Sequence, residues 1–201
     1  GARSAVEVTR GEGDRTGHGT GCVTTLFRVA PDAEVYPVRV FDGTLETSVP
    51  ALRDALLWAV REGFDVINLS LWTPRPDALV PLYAACEEAR AAGSIVVAAA
   101  PREADHAYPA VFDNVLSVGV GPHDGPFEYE YHAGAAVECL AACGDRGWVT
   151  GLGGERIRAS GSSFAAPNVA GIVALLRERY PAAPLDEVRA LLDRYAVRRM
   201  A

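Results

Sequence analysis

Between Ala33 and Val120 the chain alternates short apolar runs with longer amphipathic stretches, and this order leaves few architectures open. The runs are AEVYPVRVF (Ala33 to Phe41), DVINLSL (Asp65 to Leu71), SIVVAAA (Ser94 to Ala100) and NVLSVGV (Asn114 to Val120). The last two carry apolar residues at successive positions, the pattern of strands covered on both faces. Between the runs, SVPALRDALLWAVREGF keeps Leu52, Leu56, Ala59 and Val60 at helical spacing and stops at Gly63. Pro74, Pro76 and Pro81 then break the chain before LYAACEEARAAG, a second amphipathic helix closed by Gly93. Strands separated by helices need crossover connections, so the expected fold is α/β, a mainly parallel sheet with helices on both faces in three layers.

Residues 121–158 are rich in glycine and turn residues and predict loops with one or two short strands. The C-terminal part predicts a helix of small residues within ASGSSFAAPNVAGIVALL, then PLDEVRALLDRYA, an amphipathic helix with Asp186 and Glu187 well placed in its first turn. A chain of 201 residues, 49% of them apolar and without repeats or linkers, can bury one sizeable core, so a single domain over 1–201 is expected.

Several classes are disfavoured. No apolar run approaches the ~18 residues of a membrane helix, and the first residues lack the basic start and apolar stretch of a signal peptide. A net charge of −7 without a dense Lys/Arg cluster argues against nucleic acid or a membrane as partner. Cys22, Cys86, Cys139 and Cys143 are scattered and form no CxxC pair; we expect buried free thiols, which slightly favours the cytoplasm over secretion. His106, His123 and His132 lie in predicted loops without ligand spacing and are expected at the surface, so neither metal nor cofactor is expected. GEGDRTG and GLGGER lack the strand-to-helix context of nucleotide loops, and no G-x-S-x-G elbow is present.

Two segments carry chemistry. TGHGTGCVTTLF sets His18 between glycines at the head of a helix, where the imidazole stays accessible. GSSFAAPNVAG sets Ser163 before another helix, whose free N–H groups and dipole favour developing negative charge. Pro167 is tolerated in the first turn, and Ala165, Ala166, Ala170 and Gly171 allow close packing. A serine hydroxyl becomes a useful nucleophile only when a base takes its proton, which makes His18 and Ser163 a candidate pair.

These segments resemble the subtilisin-like serine peptidases. GHGTGC is similar to the family's histidine motif, VINLSL to its substrate-binding strand, YPAVFDNVLSVGV to the segment behind its oxyanion loop, and GSSFAAPNVAG to its serine motif, all in the family's order. The resemblance implies a three-layer subtilisin-like fold, Ser163 as nucleophile, His18 as general base, Ser70, Leu71 and Trp72 along the bound substrate, and peptide or protein as substrate. Cys22 resembles the cysteine of the family's thiol-containing branch; a small buried apolar residue is the other reading.

Three departures accompany the resemblance. The family's orienting aspartate, at the end of its first strand, has no counterpart: if SAVEVTRG is that strand, Thr9 stands in its place, and if it is the second strand, the first lies outside this chain. Because the chain opens on Gly1-Ala2, we expect a processed or trimmed product without the aspartate-bearing strand, the carboxylate coming from a removed segment or a second polypeptide. Asp14 matches a loop position of the family rather than its triad. Pro101 and Arg102 replace the Gly-Asn pair of the oxyanion region, where the Arg102 guanidinium either donates in the asparagine's place or is solvated on its loop, and Trp72 replaces a glycine of the substrate-pairing strand, where it either narrows or fills the cleft or packs under the proline loop. Two readings follow: a serine endopeptidase, or a catalytically impaired relative that binds peptide or protein as a scaffold.

Overall fold

The computed structural model describes residues 13–41 and 43–197. Five strands form the main sheet: β1 (Val66–Leu69), β2 (Ile95–Ala99), β3 (Leu116–Val120), β4 (Tyr129–Tyr131) and β5 (Cys139–Ala141), in the order β1-β2-β3-β5-β4. β1, β2, β3 and β5 are parallel, and only β4 runs antiparallel, against β5. A separate antiparallel hairpin joins β6 (Trp148–Thr150) to β7 (Arg156–Arg158). The helices are α1 (His18–Val29), α2 (Val49–Arg61), α3 (Leu79–Ala91), α4 (Ala166–Arg179) and α5 (Leu185–Tyr195).

The central strand shows how the sequence builds three layers. Side chains alternate across a strand, so Ile95, Val97 and Ala99 enter the core under α1, α4 and α5, while Val96 and Ala98 enter the core with α2 and α3. All five residues of β2 are buried, as its unbroken apolar run predicts. α2 starts at Ser48, whose hydroxyl accepts the Ala51 N–H at 3.2 Å, and its chain turns away at Gly63 with φ 78°. α1 and α4 cross where Gly171 meets Val29, a contact that only a glycine permits.

Four expectations are corrected. α3 begins at Leu79 and takes Pro81 into its first turn, where a missing donor costs nothing. Residues 121–158 hold four short strands, β4 to β7, instead of one or two. His123, expected at the surface, is half-buried, its side chain only 7% exposed beside Glu130, with Nε2 3.5 Å from Oε1. Residues 33–41 form no strand: Val35, Val38, Val40 and Phe41 are half-buried, but no ladder among the described residues holds them. A strand needs a hydrogen-bonding partner, and β1 pairs only with β2, leaving its other side at the edge of the described sheet. The segment SAVEVTRG and its Thr9 lie outside the described residues. The four cysteines are free, and no helix among the described residues is long and apolar enough to cross a membrane.

Candidate active site

His18 is the first residue of α1, following Gly17 in the left-handed conformation at φ 80°. Asp14 organises this turn. Its Oδ1 accepts the N–H groups of Thr16 and Gly17, both at 3.0 Å, and its Oδ2 accepts the Thr20 N–H at 2.7 Å and the Thr20 hydroxyl at 3.0 Å. Burial acts to raise the Asp14 carboxyl, but the hydrogen bonds from Thr20, Thr16 and Gly17 outweigh it and hold the group below its ordinary value. Asp14 is therefore a helix cap and not the partner of the imidazole. Asp14→Ala is expected to lose about 0.5–2 kcal/mol, the usual range for a capping side chain, read by urea denaturation.

The His18 ring packs against Phe164 at 5.1 Å and Phe41 at 6.4 Å between centroids. Its Nδ1 lies 3.8 Å from Cys22 Sγ, which confirms that the two residues share a helix face. Burial lowers the pKa of His18 more than the Asp14 charge raises it, so the imidazole is neutral at pH 7 and able to accept a proton. Burial pushes the Cys22 thiol up to about 11, and the intact thiol donates to the Ser163 carbonyl at 3.4 Å. Among the described residues no carboxylate hydrogen-bonds or ion-pairs with His18.

Ser163 sits in a single turn of 3-10 helix (Ser162–Phe164) that leads into α4. Gly161 holds φ at 98°, which sharpens the turn, and the next two turn bonds are Phe164 N–H to Gly161 O and Ala165 N–H to Ser162 O. The Ser163 N–H takes no part in backbone bonding among the described residues, and it stands at the head of a helix, where an oxyanion is favoured.

One cleft of about 670 Å³ brings His18 and Ser163 together. Its floor continues β1: Ser70, Leu71 and Trp72 line it, and Thr73 pairs with Tyr108 on the far side. Asn68 Nδ2 donates to the Ser70 hydroxyl at 2.9 Å. Trp72 is 42% exposed and lines the cleft, so it narrows the cleft instead of packing in the interior. Arg102 is exposed, Pro101 is half-buried, and neither lines the cleft, so the guanidinium is not brought to Ser163. Phe41 and Phe164, which clamp the imidazole, were missed from sequence; the adjacency of Phe164 to Ser163 was the one available signal.

His18 and Ser163 thus line one cleft beside the continuation of β1 in a parallel α/β domain. The model of the Subtilase family matches residues 5–200. Subtilisin DY of Bacillus licheniformis is 31% identical over 195 residues, covering 90% of this chain and 70% of that protein. The thermostable alkaline protease of Halalkalibacterium halodurans is 29% identical over 91% of this chain and 53% of its own length. The crystal structure of a cold adapted subtilisin-like serine proteinase superposes with a TM-score of 0.75 at 22% identity, covering 90% of this chain and 68% of that one. The chain belongs to the Subtilase family and has its fold. It spans between about half and 70% of the length of these two relatives.

Proposed function

We propose that the chain carries the nucleophile and base of a subtilisin-type serine endopeptidase, with peptide or protein as substrate. The observation that carries this reading is the single cleft in which His18 and Ser163 face a strand edge formed by Ser70, Leu71 and Trp72. A substrate segment adds to that edge as a strand. His18 Nε2 takes the proton of Ser163 Oγ as the oxygen attacks the carbonyl carbon, and the Ser163 N–H receives the developing oxyanion. The imidazolium then protonates the leaving amine, and water releases the acyl group from Ser163 through the same base.

The carboxylate that orients His18 comes, in this reading, from a strand beyond the described residues, on an upstream segment or a second polypeptide. Three features support that placement: among the described residues β1 has no partner on its outer edge, residues 33–41 have no ladder partner, and Asn68 Oδ1 and the fully buried Asn168 amide find no hydrogen-bond partner on β1 and on α4, which packs against it.

The test is intact-mass analysis after incubation with a fluorophosphonate, followed by peptide mapping. One adduct is expected, on Ser163, with fluoride displaced by Oγ. Its rate is expected to rise with pH through a midpoint below the ordinary imidazole value of about 6.5, because His18 must be unprotonated to act and burial lowers its pKa. Absence of an adduct on folded protein supplied with the aspartate-bearing strand, or an adduct elsewhere, would sink the reading and leave the peptide-binding scaffold.

A further inference from the structure

A second cavity, of about 320 Å³, shares no lining residue with the catalytic cleft. Its size lies at the lower end of the ~300–1,000 Å³ typical of small-molecule sites. It opens between α1 and the β6–β7 hairpin, with Thr25 and Arg28 on one wall and Asp145, Trp148, Thr150 and Arg156 on the other.

The charge balance of this cavity is unusual for a chain of net charge −7. Arg28 Nη2 lies 3.1 Å from Asp145 Oδ1, and Arg156 Nη2 lies 3.9 Å from Asp145 Oδ2, so one carboxylate serves two guanidinium groups. Arg156 and a third guanidinium, that of Arg158, lie over the Trp148 ring, 5.3 and 5.2 Å from its centroid. The neighbouring Glu155 is turned away, accepting the Gly153 N–H at 2.8 Å. Arg28 Nη1 is buried and has no hydrogen-bond partner among the described residues. Planar guanidinium groups match oxyanions better than any other side chain does.

We infer that this cavity binds a small molecule through a carboxylate or phosphate group held by Arg28 and Arg156. Arg28 supplies one guanidinium from the α1 wall, Arg156 a second cation from the rim, and the Trp148 and Val149 side chains give the body of the ligand an apolar wall. Asp145 competes with the ligand for both arginines.

Isothermal titration calorimetry on the full chain, at constant ionic strength, tests this with sodium phosphate and sodium succinate as probes. Saturable one-site binding of at least one probe is expected, and the tighter of the two identifies whether phosphate or carboxylate is the natural group. Arg28→Gln and Arg156→Gln are each expected to weaken it about tenfold, the loss of one charge-assisted hydrogen bond. Asp145→Asn is expected to tighten it severalfold, an outcome that mere damage to the fold would not give. The Arg156 side chain is 64% exposed, so its replacement leaves the core untouched. Failure of both probes to saturate at millimolar concentration overturns the inference, as does an affinity indifferent to both arginine substitutions.

Discussion

Supplying His18 with a carboxylate is expected to raise peptide hydrolysis by this chain about 10,000-fold, the loss seen when other triad enzymes have their aspartate neutralised. The expectation rests on what Nδ1 now faces. A protonated thiol at 3.8 Å is a poor acceptor, and both oxygens of Asp14 are spent on the turn from Thr16 to Thr20. Without an acceptor at Nδ1 the proton settles on either ring nitrogen, and the tautomer with Nε2 protonated cannot accept from Ser163. The measurement is kcat and KM for a chromogenic peptide, with the aspartate-bearing first strand of a family member fused ahead of Gly1 or added in trans. The gain belongs in kcat, because the carboxylate touches no substrate. The pH midpoint of the reaction should also move up, since a negative charge beside the ring favours the imidazolium. The same strand with asparagine in place of aspartate controls for folding, and Ser163→Ala should show no gain. A rise of less than about tenfold, or an equal rise with asparagine, would mean that the orienting group is not what this chain lacks.

How much of this was legible beforehand depends on whether the information is local. The helices α1, α2, α4 and α5 and the strands β1 to β3 follow from periodicity and glycine stops, because each carries its own apolar pattern. His18 and Ser163 were legible as motifs, and their meeting followed from the order of those motifs. Residues 33–41 show the limit: the β-branched residues Val35, Val38 and Val40 suit a strand, yet a strand is a relation between two segments, and no described segment provides the second. The hairpin β6–β7 was hidden for the opposite reason, since its three-residue strands are too short to carry a period. Arg102 matched a family position, but position in a loop does not determine where a long side chain points, and it points to solvent. The role of Asp14 lay in backbone N–H groups, which a reading of side chains passes over.

Gly171→Val is expected to cost about 3 kcal/mol or more, the upper part of the range for overpacking a core. A Cβ at this position would lie 2.8 Å from Val29 Cβ, 3.1 Å from Val29 Cγ1 and 3.2 Å from the Leu26 carbonyl oxygen. None of these can withdraw: Val29 is 2% exposed and stiff at χ1, and the Leu26 oxygen belongs to the backbone of α1, where it accepts the Ala30 N–H. Helix propensity works the other way, since glycine inside a helix is about 1 kcal/mol worse than alanine. Gly171→Ala should therefore be milder than Gly171→Val, whose added methyl groups enlarge the clash, and urea midpoints of the two variants will separate the contributions. The consequence reaches the active site because α1 opens with His18 and α4 opens just after Ser163. Helices forced apart at Gly171 shift the two groups relative to each other, and a displacement of about 1 Å between reacting groups can cost about 100-fold in rate. Fluorophosphonate labelling of the folded fraction should fall accordingly. A Gly171→Val protein within about 0.5 kcal/mol of the parent and labelled at the same rate would show that the α1–α4 crossing tolerates expansion and does not set the geometry of His18 and Ser163.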